Sequence, residues 1–530
     1  MSSTITLIFG LLAAIVTLAT VATRFRISYA ILLVLGGLLM GFIPGLPTIA
    51  LNPDLILLLF LPPLVYSSAW LTSWREFRAG LRPILMLSIG LVLGTTAIVA
   101  IVAHFAVGLS WPVAFVLGAV VSPTDTAAAS ATAQSVGLAR RIVAVIEGES
   151  MVNDASGLVA YRFAVAAVVT GSFSLAQASF QFVLVSIGGL LIGIVVGWPI
   201  AWLHRHLDNA PIEIAITILT PFAAYILAET LSLSGVLAVV TAGLYLSRQS
   251  SRFFSSNTRL QAYGAWDVLV FLLNGFVFLL IGLQLHSVLN TVATRAPLTL
   301  IWYAILICLT VIVVRIAWII SSTYLARWSS RLLHIQEIFP TLRSVLIVSW
   351  TGMRGGVSLA AALALPLTIA GGGAFPDRDL VIFLTFSVIL ATLVLQGLSL
   401  GPLIRLLHLK EDGSREKEHN QAHLEAARAA LIRLDELSTE DWVPKDYLTR
   451  MRSIYENKIK TLGALVDGGD GATELLDGAH LADKRRLRQE VLEAERTTII
   501  QLRDRGRIDD EVLREVEREL DLEEQRLQAD

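Results

Sequence analysis

The sequence predicts an all-α polytopic membrane protein. About thirteen transmembrane helices are expected, in two inverted six-helix repeats with broken crossing helices, followed by a soluble helical tail. Three observations carry this. The first is composition: of 530 residues, 55% are hydrophobic and 16% charged, with a mean hydropathy of +0.69. An average soluble chain has about 25% charged residues. The second is the placement of charge. Residues 410–530 hold 30 of the 43 acidic and 21 of the 41 basic side chains. Residues 1–409 therefore read as a membrane domain of net +7, and residues 410–530 as a cytoplasmic helical domain of net −9. The overall −2 is a cancellation that names no partner; the lipid bilayer is the expected one, and nucleic acid is not. The third is a pair of interruptions in otherwise apolar spans.

The spans come first. A bilayer core takes about 20 apolar residues per helix. Thirteen apolar runs begin near residues 4, 28, 53, 82, 111, 141, 176, 210, 231, 263, 298, 340 and 379. Basic residues follow the odd-numbered runs: Arg24 and Arg26, then Arg75, Arg78 and Arg82, then Arg140 and Arg141. His204, Arg205 and His206 follow the seventh run, Arg248, Arg252 and Arg259 the ninth, and Arg327, Arg331 and Arg343 the eleventh. Even-numbered connections such as "IPGLPTIALN" and "VGLSW" carry almost none. The positive-inside rule makes the odd loops cytoplasmic. The N-terminus is then expected outside a plasma membrane and the tail inside. The opening "MSSTITLIFG" lacks the basic n-region of a signal peptide and reads as the start of the first span. The single cysteine, Cys308, lies in an apolar run and is expected to pack rather than bridge.

Thirteen spans fit two inverted halves of six around one linker helix, a recurrent plan in membrane transporters whose sites sit on broken helices. Span five contains "VVSPTDTAAAS", where Pro123 removes a backbone donor just before Thr124 and Asp125. Span twelve contains "SWTGMRGGVS", where Gly352, Gly355 and Gly356 surround Arg354. The two breaks occupy equivalent, oppositely directed positions of a six-one-six plan.

Charges at mid-depth mark candidate sites. A charge at the bilayer centre costs about 2.5–3.5 kcal/mol on insertion scales, so it survives where it meets protein or water and has a partner. Asp125, Glu149, Asp154, Arg315 and Arg354 all fall there. In "GESMVNDASG", Ser150 and Asp154 share a helix face at i,i+4, and Asn153 lies at helical spacing from Ser150 and Glu149. Oxygen donors of Ser150, Asp154, Thr124 and Asp125 suit a hard monovalent cation; the thiolates and imidazoles that transition metals prefer are missing from the set. Structural ion pairing is the competing reading. It is preferred for Glu149, paired with Arg315 as a lock between spans six and eleven. Asp154, beside uncharged Asn153, is read as functional. Asp125, at a helix break, fits both a cation ligand and a fixed partner of broken-helix dipoles. Arg162, in the outer half of span six, is expected to snorkel or pair with an acid, and Glu229, near the outer end of span eight, to lie at an interface. His204 and His206 are expected to be solvated.

Over residues 5–409 the chain resembles the monovalent cation:proton antiporters of the sodium–proton exchanger family. The likeness rests on "FLPPLVYSSAW", "SPTDTAA", "TGMRGGVSLA" and, most specifically, "EGESMVNDA". It implies that Asp154 binds either cation or proton, that Asn153 is its partner, and that Ser150, Thr124 and Asp125 belong to the cation site. It also implies the Glu149–Arg315 pair, a homodimer, and electroneutral one-for-one exchange, which in the family goes with Asn–Asp rather than two acids. Na⁺, with K⁺ or Li⁺ as alternatives, and H⁺ are then cargo; no cofactor and no catalysis are expected. Two departures stand out. Family members often carry an acid after "LPPL" where this chain has Ser67, and the Thr–Asp is usually followed by proline where Thr126 stands here.

The tail reads as helices separated at "VDGGDGATE", with a last helix from about Asp509–Asp510 whose Val512, Val516 and Leu520 form a stripe. It carries no phosphate loop and no catalytic cluster, which points to interaction or regulation with an unnamed partner. A cation channel would show a filter repeat and a membrane metalloprotease an HExxH helix; neither occurs.

Overall fold

The computed structural model describes residues 2–25, 28–43, 53–72, 74–125, 140–172, 174–293, 295–333, 341–369, 372–407, 414–440 and 443–467, with isolated positions beyond. The described residues are helical, with one isolated bridge between Thr368 and Ala374 and no named strand. The chain divides into two units, Met1–Lys410 and Glu411–Asp530.

The first unit begins with α1 (Ser2–Phe25), α2 (Tyr29–Gly41), α3 (Pro53–Leu71) and the short α4 (Trp74–Ala79). Next, α5 (Leu81–Leu85) and α6 (Val92–Val102) run on through π-helical turns at Met86–Leu91 and Ala103–Val107. Then come α7 (Trp111–Val121), α8 (Arg140–Thr170), α9 (Leu175–His204), α10 (Ala210–Thr230), α11 (Gly235–Phe253), α12 (Ser256–Thr291) and α13 (Pro297–Leu333). The unit closes with α14 (Leu342–Trp350), α15 (Gly356–Leu363), α16 (Arg378–Ala391), a π-helical turn at Thr392–Gln396 and α17 (Gly397–Leu406). Helix starts agree with the apolar runs to within a few residues. The tenth is the widest miss: α12 begins at Ser256, seven residues early, because the polar stretch "SNTRLQA" is itself helical.

Local chemistry sets several of these ends. Ser174, Asn209, Ser234 and Thr341 each accept a hydrogen bond from the third residue of the helix they precede. Pro112 and Pro211 sit in first turns, where a missing N–H costs nothing. Eight of the described helices are long and apolar enough to cross a bilayer, and three shorter apolar helices accompany them. The chain is thus a multi-pass membrane protein.

The helices pack in two sets. One comprises α1–α3 with α9–α12: α2 lies along α12, α9 along α11, and α11 against α3 and α10. The other comprises α5–α8 with α13–α17: α6 packs on α7, α7 on α8, and α13 on α6 and α14. The sets meet where α8 touches α11 and α3, and where α12 touches α15 and α16.

The break expected in span twelve is present, and in span five α7 ends before Thr124 and Asp125, the rest of "VVSPTDTAAAS" lying outside the described residues. Backbone at Ser122–Asp125 leaves the helix after α7, and Thr351–Gly355 separates α14 from α15. His204 corrects an expectation. It is buried rather than solvated, its ring stacked on Phe253 with centroids 4.8 Å apart. The reason is that α9 stays helical to His204, so that ring turns under the end of α11, where Phe254 meets it edge-on. His206, two residues on, is exposed.

In the second unit, α18 (Ser414–Leu437) packs along α19 (Lys445–Asp467), burying Leu424 and Ala427. An ion pair between Arg452 and Asp435 joins the two helices. Apart from isolated positions such as Leu520, the expected last tail helix and most of "VDGGDGATE" lie outside the described residues.

Candidate ion-binding site

The two helix breaks cross. The amide of Asp125 donates to the carbonyl of Met353 at 2.8 Å, tying one interruption to the other. Glycine makes this approach possible: a methyl group on Gly355 would overlap the Asp125 carboxylate, and one on Gly352 would overlap the Arg315 side chain.

Interrupted helices leave unpaired groups at their new ends, with positive partial charge at N-termini and negative at C-termini. The charged residues at the crossing match those ends. The Asp125 carboxylate lies against Gly355, the cap of α15, at the positive end of that half-helix. Arg354 is 1% exposed and faces the opposite kind of end. Its Nε donates to the carbonyl of Val121, the last residue of α7, at 3.0 Å, and its Nη1 donates to the carbonyl of Gly352 just past α14. Its amide donates to Thr392 Oγ1 at 3.1 Å, anchoring the break to the π-helical turn before α17.

A hydrogen-bonded chain runs from α13 to the first break. Arg315 grips Glu149 with both terminal nitrogens, Nη1 to Oε1 at 2.5 Å and Nη2 to Oε2 at 2.9 Å, and Nη2 also donates to the carbonyl of Val348 at 3.1 Å. Thr124 donates its hydroxyl to Glu149 Oε1 at 2.9 Å. Asn153 donates to the Thr124 carbonyl at 3.0 Å and to its Oγ1 at 2.7 Å. The amide of Asn153 is thereby fixed through its nitrogen, and its buried Oδ1 has no hydrogen-bond partner among the described residues. Glu149, Asn153 and Thr124 are all within 2% of full burial.

Asp154 stands apart from this chain. It is 8% exposed and makes no hydrogen bond or ion pair among the described residues. Asp125 lies within electrostatic range of it. Ser150 shares the Asp154 face one turn earlier and is half-buried. Ser67, at the position of the missing family acid, is buried with its hydroxyl turned back onto the Leu64 carbonyl at 2.8 Å.

The structure thus brings Glu149, Arg315, Thr124 and Asn153 into one network, and Asp125 and Arg354 to the crossing. Four partners in that site escaped the sequence reading: Thr392 and the carbonyls of Val121, Val348 and Met353. A lone threonine in an apolar span is an ordinary residue, and a carbonyl acceptor has no residue letter of its own.

A family model described as sodium/hydrogen exchanger, transmembrane, matches residues 10–406. This chain belongs to the sodium/hydrogen exchanger family. The exchanger is 37% identical over 529 residues to an uncharacterized Na⁺/H⁺ exchanger of Mycobacterium tuberculosis (strain ATCC 25618 / H37Rv), covering 98% of this chain and 95% of that one. It is 35% identical over 440 residues to a sodium, potassium, lithium and rubidium/H⁺ antiporter of Bacillus pumilus, covering 79% and 64%. It is 33% identical over 455 residues to the Na⁺/H⁺ antiporter ApNhaP of Aphanothece halophytica, covering 85% and 82%. The exchanger shares its fold with the sodium proton antiporter MjNhaP1 of Methanocaldococcus jannaschii, at a TM-score of 0.60 and 20% identity over 77% of this chain and all of that one. It is therefore a membrane antiporter of monovalent cations and protons by family, and the family is one of transporters rather than enzymes.

Proposed function

We propose that this exchanger trades Na⁺ for H⁺, one for one, by alternating access at Asp154, in the service of sodium and pH homeostasis. K⁺ or Li⁺ is the alternative cargo: one Bacillus relative carries sodium, potassium, lithium and rubidium in its name, and Ser67 replaces a family acid. The observation that carries the reading is the contrast between two acids on α8. Glu149 is neutralised by Arg315, whereas Asp154 has no committed partner among the described residues. Asp125 and Arg354 answer opposite helix ends, and their formal charges sum to zero. The site is then left with one uncompensated negative charge, which one proton or one Na⁺ neutralises. Carrying it empty costs several kcal/mol in a bilayer, which suppresses leak. Asn153 adds no second titrating acid, so each half-cycle moves the same charge.

The remaining parts of the proposal are a homodimer, thirteen spans in two inverted six-helix repeats, an outside N-terminus and a cytoplasmic tail. The alternation of basic loops supports the orientation. The test uses proteoliposomes with a pH-sensitive dye. Asp154→Asn is expected to abolish cation-dependent proton flux while leaving insertion and the melting transition in place. Wild-type flux is expected to ignore a potential clamped by K⁺ and valinomycin with Na⁺ as cargo. Exchange by Asp154→Asn would refute the site, and a rate that climbs with potential would refute the stoichiometry.

A further inference from the structure

We infer that Arg162 and Glu229 form a positioning pair for alternating access, a polar strap holding the Asp154-bearing helix against the neighbouring helix set at one end of the protein. This rests on the alternating-access reading above. Arg162 lies on α8, eight residues after Asp154, or about 12 Å further along the axis at 1.5 Å per residue. Its Nη2 donates to Glu229 Oε1 at 2.9 Å and to Oε2 at 2.7 Å. Glu229 belongs to the other set, in the last turn of α10. The pair therefore spans the surface along which the two sets would have to move.

The two ends of the strap are built differently. Glu229 is set firmly in its own helix set. The turn after it is tight: Ser232 has a φ of 57°, and the amides of Leu231 and Leu233 both donate to the Ala228 carbonyl. Ser234 docks that turn on α9 through the Val185 carbonyl at 3.2 Å and caps α11. The amide of Gly235, the first residue of α11, donates to Glu229 Oε1 at 3.4 Å. The carboxylate thus keeps a helix N-terminus as company when Arg162 leaves. Arg162 is 47% exposed along its side chain, and its long stem can carry the guanidinium toward the headgroup layer when the pair parts. A contact whose two halves are both stable when parted is suited to repeated opening. Glu149–Arg315 is the opposite case, fully enclosed within the set that contains both residues.

Exposed ion pairs contribute little in absolute terms, but a small bias suffices to set a population ratio. Opening at this end is expected to become about fivefold more populated when the pair is removed, which is ~1 kcal/mol at 1.4 kcal/mol per tenfold. On the proposed orientation this is the outer end.

The experiment uses the full chain in nanodiscs with Cys308→Ala, leaving labelled cysteines only at Thr170 and Leu231. Both positions are exposed, one at the end of α8 and the other in the turn after α10. Spin-label distance distributions are expected to shift toward the longer population in Arg162→Gln and equally in Glu229→Gln, with no further shift in the double variant. Arg162→Lys, which keeps the charge, is expected to restore the shorter population. In vesicles of the two orientations, the ratio of cation KM values at the two faces should move about fivefold in the same variants. A purely structural pair would lower the melting temperature without moving either ratio. Distributions unchanged by Arg162→Gln, or left shifted by Arg162→Lys, would overturn the inference. Absence of exchange in the wild type would overturn the proposed function while the distance measurement still decided the strap. Normal exchange with unmoved distances would overturn the strap alone.

Discussion

Arg315 on α13 closes a two-pronged ion pair on Glu149 of α8, at 2.5 and 2.9 Å, with neither side chain above 1% exposure. The pair ties two long helices of one set to each other through their side chains. It also takes one of the three α8 acids, Glu147, Glu149 and Asp154, out of circulation.

Removing one member of such a pair strands a buried charge. Glu149→Ala or Arg315→Ala is expected to destabilise the protein by roughly 3–5 kcal/mol. The double variant is expected to recover part of that loss in detergent melting curves. Strictly additive losses would show that the two side chains do not act on each other.

The crossing makes a second prediction from sterics. Gly355→Ala places a methyl group on the Asp125 carboxylate, which must move together with the break that carries it. Overpacking of this kind costs about 1–3 kcal/mol, and cation-dependent proton flux is expected to be lost. Gly401 and Gly463 meet nothing within 4 Å, so alanine there is expected to be harmless or mildly stabilising. Flux retained by Gly355→Ala would mean that the crossing is not rigid.

The third prediction concerns pH. A single carboxylate that holds either H⁺ or the cation makes the two compete. As pH falls, the fraction of Asp154 free for the cation falls, and the apparent KM rises in proportion. Once the protonated form dominates, each unit of acidification should raise KM about tenfold, with the maximal rate at saturating cation unchanged. Dye-coupled titrations of cation across a series of pH values measure both quantities. A maximal rate that collapses with acid while KM stays fixed would rule out simple competition at this residue.

The sequence by itself determined where helices lie and where they fail. Apolar runs fix spans because a peptide group in lipid must bond within its own helix. Pro123 and the glycines around Arg354 mark the interruptions because they act on their own backbone. Mid-span charges were visible too, since any such residue in an apolar run is costly enough to need a reason. Which groups answer those charges was decided only in three dimensions. The Arg354 guanidinium is met by the carbonyls of nearby Gly352 and distant Val121, while its backbone amide is held by the Thr392 hydroxyl. His204 is buried because the end of α11 folds over it, and Arg162 finds Glu229 across 67 residues of chain. Hydropathy and backbone preference are properties of a segment alone. A partner's position depends on how separate helices pack, and neither residue of a distant pair carries that geometry in its own identity.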